Sequence, residues 1–173
     1  MYHPISKLFH WTIGLLMIGL LFVGLTWEDF FPEPFRFTLL GWHKSLGAIV
    51  LGLSVLRALW WLTQTKPALV KTLPARMAPF INLGHNILYA FMMIMPLSGW
   101  MMSNAAGYPV SVFGWFTLPT LLEKNDELRH TFGEVHELAG WTLIAIIAFH
   151  VAAALYHHVV LKDETLKRMM FRG

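Results

Sequence analysis

Four long apolar stretches, almost free of formal charge, divide the chain, and each is long enough to be a bilayer-spanning helix. Between Lys7 and Glu28 no residue is charged, and a run of about 20 apolar residues crosses a hydrocarbon core of about 30 Å. A first helix is therefore expected over about 6–27. The run is too long for a signal-peptide core, and Thr26-Trp27-Glu28 offers no small-residue cleavage site. A second helix is expected over about 40–62, after a turn at Pro32-Glu33-Pro34 and before Lys66-Pro67, with Arg57 as its only internal charge beyond Lys44 near its start. Met77 to Leu122 again carries no charge, too long for one crossing. Gly107, Pro109, Gly114 and Pro119 punctuate its second half, so a third helix is expected over about 80–103. Val110 to Leu122 then forms an interfacial segment against the bundle. A fourth helix is expected over about 132–161, and the tail from Lys162 leaves the membrane.

The expected fold is thus all-α, an integral membrane four-helix bundle in a single unit, 1–173, with no internal repeat. The chain has 173 residues, 56% of them apolar and 13% charged. Soluble domains carry about 25% charged residues, so a soluble enzyme is excluded. The net charge of +3 comes from scattered Lys and Arg, which speaks for membrane topology and for no nucleic acid. Lys7, Arg57, Lys66, Lys71, Arg76, Lys162, Lys167, Arg168 and Arg172 fall on one side of the expected bundle. Arg36, Lys44, Lys124 and Arg129 fall on the other. By the positive-inside rule both termini are cytoplasmic. Trp11, Trp27, Trp42, Trp60, Trp61 and Trp141 lie near span ends, as interfacial belts do.

Cysteine is absent, which removes disulfides, thiolate-ligated clusters and covalent c-type haem. Any metal must be held otherwise, and the chain has nine histidines. Histidines inside a membrane bundle are costly and mark function; His10, His43, His85, His136, His150 and His157 qualify. His136 and His150 are fourteen residues apart, about 21 Å along one helix and within about 40° of the same face. Topology pairs His43 with His136 at one depth and His10 with His150 at the other. Two imidazoles from facing helices are what a six-coordinate b-type haem requires. Imidazoles about 21 Å apart along one helix cannot share one zinc ion at about 2.1 Å, so two haems fit better. Each of the four has a small residue at i+4, on the same helical face: Gly14, Gly47, Gly140 and Ala154. A flat porphyrin needs that clearance.

Secondary candidates follow. His157, with His158, can deliver protons near neutral pH. Arg57 and His85 are placed to meet haem propionates, and Lys44 to neutralise an outer propionate or receive an anionic donor. Glu134 and Glu137 flank His136, where they favour the start of the fourth helix electrostatically.

The segments His10-Trp11, His43-Lys44-Ser45-Leu46-Gly47 and His136-Glu137, with His150 and His157-His158 after them, resemble the bacterial cytochrome b561 family. That family is related to the cytochrome b subunits of nickel-iron hydrogenases and formate dehydrogenases. The resemblance extends to Lys162-Asp163-Glu164-Thr165-Leu166-Lys167-Arg168-Met169. It implies an inner-membrane four-helix cytochrome with two b-type haems, one on His10 and His150 towards the cytoplasm and one on His43 and His136 towards the periplasm. It also implies a quinone site at the His157-His158 pair. One family member oxidises superoxide and reduces ubiquinone, so the leading expectation is electron transfer from a periplasmic donor, superoxide or a small redox protein, to ubiquinone. Against an anionic donor stands the acidic first outer loop, with Glu28, Asp29 and Glu33. An anchor subunit serving a partner dehydrogenase or hydrogenase, and a cofactor-free membrane helper, are the alternatives. Membrane lipid is an expected partner, and self-association into a homo-oligomer stays open.

Overall fold

The computed structural model describes residues 2–65, 70 and 72–171. Four long helices account for most of them: α1, Pro4–Phe30; α2, Glu33–Leu62; α3, Ala78–Ala105; and α4, Asp126–Val159. All four are long and apolar enough to cross a membrane. Of the basic residues counted for topology, Lys66, Lys71 and Arg172 lie outside the described residues.

Helix ends follow local chemistry. The His3 Nδ1 accepts from the Ile5 N–H at 3.2 Å, and Pro4 opens α1, where its missing N–H costs nothing. Two helices begin earlier than the apolar pattern predicts. In α2, Pro34 occupies the first turn instead of bending the chain, so helix replaces the expected turn from Glu33 onward. In α4, Asn125 caps the Leu128 N–H at 3.0 Å and Asp126 and Glu127 fill the first turn. A polar, capped opening turn thus precedes the apolar run. In consequence Glu134 and Glu137 lie two to three turns inside α4, beyond the reach of its N-terminal dipole. Glu134 faces His130 at 3.6 Å.

The segment after α3 packs on the bundle as expected, but as a small β-hairpin. Strands β1, Ser111–Val112, and β2, Phe116–Thr117, pair antiparallel. The turn between them needs positive φ at Phe113 (51°) and Gly114 (76°). Val110 and Val112 are buried, and the Ser45 hydroxyl on α2 donates to the Ser111 carbonyl at 3.0 Å and accepts from the Phe113 N–H at 3.1 Å. The hairpin therefore closes one end of the bundle.

The opposite end holds both termini. Lys7, buried in α1, donates to the Met170 carbonyl at 2.6 Å, and the Trp11 indole donates to the Met169 carbonyl at 2.9 Å. Between the ends, Ile13, Met17, Leu20, Val50, Met92, Met95, Ala139 and Leu143 form the buried core. Leu15, Phe22, Leu59, Phe149 and many other large apolar residues face outward, the arrangement a lipid-facing surface requires. Helix α1 packs on α2, α2 on α3 and α3 on α4, while α4 makes almost no close backbone approach to α1 or α2. The seams α1/α4 and α2/α4 are therefore wide.

Candidate cofactor site

Both wide seams are bridged by histidines. The rings of His43 on α2 and His136 on α4 stand 6.2 Å apart, centre to centre, towards the hairpin end. Those of His10 on α1 and His150 on α4 stand 6.1 Å apart towards the end with the termini. Two imidazoles sharing one metal ion through bonds of about 2.0–2.1 Å, with each ring centre about 1.1 Å beyond its nitrogen, would stand about 6.3 Å apart. Both pairs therefore have the separation at which one iron fits between them. Among the described residues no group of three or more His, Asp or Glu could hold a lone ion.

The surroundings also fit a flat ring. Beside His10 and His43, an added Cβ at Gly14 or Gly47 would meet nothing within 4 Å, so both glycines border open space. A cavity of about 300 Å³ reaches His43 from the α1/α2 side, lined by Leu16, Gly19, Leu20 and Trp42 among others. The Nδ1 of His43 is buried with no hydrogen-bond partner. At Gly140 the space is taken by the Met95 methyl, 3.8 Å from an added Cβ, and Ala154 is half-buried.

Helix α3 contributes features the sequence reading did not single out. His136 Nδ1 lies 3.0 Å from the Met95 carbonyl and 3.0 Å from the Ser98 hydroxyl. The carbonyl can only accept, so Nδ1 carries the proton and Nε2 is left as the free electron pair. An added Cβ at Gly99 would come within 3.0 Å of His136 Cε1, tighter than ordinary contact, and one at Gly24 within 3.5 Å of His43 Cε1. These two glycines face the histidines from neighbouring helices. No i+4 spacing on the ligand helices could reveal them; a glycine amid the large residues of Leu97 to Met102 is the only trace.

The remaining candidates gather at the termini end. His85 on α3 stands 5.8 Å from the His150 ring and bonds the Ile81 carbonyl through Nδ1 at 2.7 Å. The Arg57 Nε donates to the Tyr89 hydroxyl at 3.2 Å, with its guanidinium 5.0 Å from that ring's centre. His157 is half-buried against Asp163, whereas His158 is exposed. At the hairpin end Lys44 donates to the Ser103 hydroxyl at 3.4 Å and lies 5.7 Å from the Tyr108 ring centre. Arg36 is tied to the Phe31 carbonyl at 2.8 Å, and Arg129 to Asp126 at 3.8 Å. Of the described hairpin-end cations, Lys44 is the neighbour of a paired histidine.

Comparison with known proteins agrees with this architecture. The prokaryotic cytochrome b561 family matches residues 1–172. Cytochrome b561 homolog 2 of Escherichia coli is 31% identical, the match covering 98% of this chain and 90% of the relative. Cytochrome b561 homolog 1 of the same organism is 30% identical over 94% and 93%, and the probable superoxide oxidase CybB of Yersinia pestis is 29% identical over 93% and 90%. Four apolar spans, two facing histidine pairs and a match over nearly the whole length give one answer: the chain belongs to the prokaryotic cytochrome b561 family, the membrane-embedded b-type haem proteins of the bacterial inner membrane.

Proposed function

We propose that the protein binds two b-type haems, one between His43 and His136 and one between His10 and His150, and moves electrons from a periplasmic donor to ubiquinone on the cytoplasmic side. The observation that carries this reading is the matched ring separation of the two pairs, 6.2 and 6.1 Å, at opposite ends of one bundle. Held between two such imidazoles, a bound haem would supply one-electron transfer. The chain's own residues set everything else. Met95 and Ser98 hold the proton of His136 on Nδ1 so that Nε2 is presented. Gly14, Gly47 and Gly99 keep side chains out of the planes beside the ligands. Arg57 and His85 give the inner site its cationic and hydrogen-bonding surroundings, where propionates are to be met.

The basic residues support the orientation. Lys7, Arg76, Lys162, Lys167 and Arg168 gather at the end with the termini, which is therefore cytoplasmic, and the hairpin is periplasmic. Superoxide is the leading donor. The name of the CybB relative points to it, and Lys44 next to His43 supplies a cation that attracts an anion to the outer pair despite the acidic first loop. On the quinone side, an apolar groove of about 410 Å³ between α3 and α4 is lined by Phe80, Gly84, Ile87, Ala145 and Phe149 among others. Its lining residues Gly84 and Phe149 directly precede His85 and His150 in the chain, and an apolar groove of this kind would give a lipid-soluble quinone a way in. His157, about 10.5 Å beyond His150 along α4, and His158 supply protons. The balance is two superoxide anions, one quinone and two protons to two dioxygen molecules and one quinol.

The test is a stopped-flow mix of the oxidised, purified protein with a superoxide source and a short-chain ubiquinone. The account predicts stoichiometric haem reduction followed by quinol formation, both abolished by superoxide dismutase. Haems that stay oxidised under superoxide yet are reduced by a co-purifying protein would move the reading to an anchor subunit.

A further inference from the structure

The end of α4 carries a side-chain cluster that electron transfer alone does not need. After Val159 the chain reverses, and the reversal places Lys162, a non-glycine, in the left-handed region at φ 51°. Such a conformation persists only where the surroundings over-determine it. Its result is that Asp163 folds back on the last turn of α4. The Asp163 N–H donates to the His157 carbonyl at 3.1 Å, and its carboxylate Oδ2 lies 2.6 Å from His157 Nδ1. Only 4% of the Asp163 side chain and 16% of the His157 side chain are exposed.

Three elements hold that carboxylate. The Thr72 hydroxyl, from the α2–α3 connection, donates to Oδ2 at 2.7 Å, and the Thr165 N–H, from the tail, donates to Oδ1 at 2.8 Å. Burial pushes the Asp163 carboxyl up, but the hydrogen bonds from Thr165, His157 and Thr72 outweigh it and hold it well below the usual carboxylate range. Asp163 therefore stays ionised, an acceptor only. Facing an obligate acceptor, His157 Nδ1 must carry a proton, and Nε2 becomes the one nitrogen whose proton can come and go. The Tyr156 ring packs edge-on at 6.3 Å, the Thr165 hydroxyl lies 3.4 Å from Nδ1, and the Asp163 carboxylate is the acidic group against the ring.

We propose that Asp163 is a positioning residue for quinone reduction, fixing His157 so that its Nε2–H is the proton delivered to a quinone carbonyl oxygen. The inference rests on the quinone reading above and adds to it the residue that makes His157 directional. Each proton leaves Nε2 for a quinone oxygen and is replaced at Nε2 from cytoplasmic water. The Nδ1 proton stays on His157, hydrogen-bonded to the ionised Asp163, throughout, and the two electrons come from two donor anions at the opposite face. The same relation of a buried carboxylate to imidazole sets the tautomer in hydrolytic triads.

The test compares wild type with Asp163→Asn, His157→Gln and the double variant, as haem-loaded full-length protein in lipid nanodiscs with ubiquinone-1. In the Asp163→Asn and His157→Gln proteins, kcat for quinol formation should fall about 100-fold, the scale of a lost general acid, with KM changed by less than about threefold and haem content unchanged. The double variant should be no slower than His157→Gln, because Asp163 acts through His157. Nitrogen NMR of histidine-labelled, dithionite-reduced protein should show an Nδ1–H signal that is lost in His157→Gln and altered in Asp163→Asn. A wild-type kcat in Asp163→Asn, multiplying defects in the double variant, or a wild-type His157 protonated on Nε2 alone would overturn the proposal. If Asp163→Asn loses haem, Thr72→Val takes its place, expected to slow quinol formation several-fold and overturning the proposal if it does not. Wild-type protein that reduces no quinone would instead defeat the quinone reading, while the NMR still decides what Asp163 does to His157.

Discussion

The two ends of the bundle hold like pairs of facing histidines in different company. At the hairpin end, His136 is held by a backbone carbonyl and a serine hydroxyl, Gly99 seats its ring, and a hairpin pinned to Ser45 covers the site. At the termini end, His10 and His150 have a third histidine and an arginine near them, and the chain's tail brings a buried carboxylate to His157. The first setting fixes a geometry and adds one cation, Lys44. The second supplies positive charge and exchangeable protons. An electron needs only the first kind of site, whereas quinone reduction also consumes protons, so the asymmetry suits the division of labour proposed above.

That comparison can be broken most sharply at the ligands. His43→Ala should lose the outer haem and keep the inner, and His150→Ala the reverse, each halving the haem per chain in a pyridine haemochrome assay. Retention of both in either variant would overturn the pairing. Gly99→Leu should also empty the outer site, because its side chain enters the space of the His136 ring, while Gly14→Leu should act on the inner site alone. Lys44→Gln should slow reduction by superoxide about tenfold at low ionic strength and less at high salt, with the quinone side unaffected.

Smaller effects sharpen the same contrast. Asp163→Asn should lower thermal stability by about 1–2 kcal/mol, since hydrogen bonds to a charged group are lost. The folded-state pKa of Asp163 is depressed, so its stabilisation is fully present above the ordinary carboxylate value near 3.9 and is lost only as pH falls through the lower folded value. The destabilisation of the variant should therefore still be present at pH 5, because the wild-type carboxylate is ionised there, as calorimetry can check. Ser98→Ala should shift the potential of the outer haem by a few tens of millivolts and leave the inner one in place, because hydrogen bonds around an axial ligand tune it.

Much of this was legible in the sequence, for physical reasons. Charge-free runs reported the spans, because lipid tolerates no unpaired charge. The fourteen-residue interval from His136 to His150 reported two depths on one face, because helical rise and period are constant. The partners of each pair followed from up-and-down topology. What stayed hidden depends on helix rotation or on backbone reversals. Gly99, Ser98 and Met95 face His136 only because of how α3 turns towards α4. The hairpin relies on positive φ at Phe113, a residue that seldom adopts it, and Asp163 reaches His157 through the same conformation at Lys162. Capping at Asn125 extended α4 ahead of the apolar pattern, which is why Glu134 and Glu137 proved to be mid-helix residues.

The most direct check is electron paramagnetic resonance of the oxidised, purified protein, with haem and chain quantified in the same sample. Two low-spin bis-imidazole ferric signals, at two haems per chain, are expected. A colourless protein, a single haem, or a high-spin signal of comparable size would contradict the account.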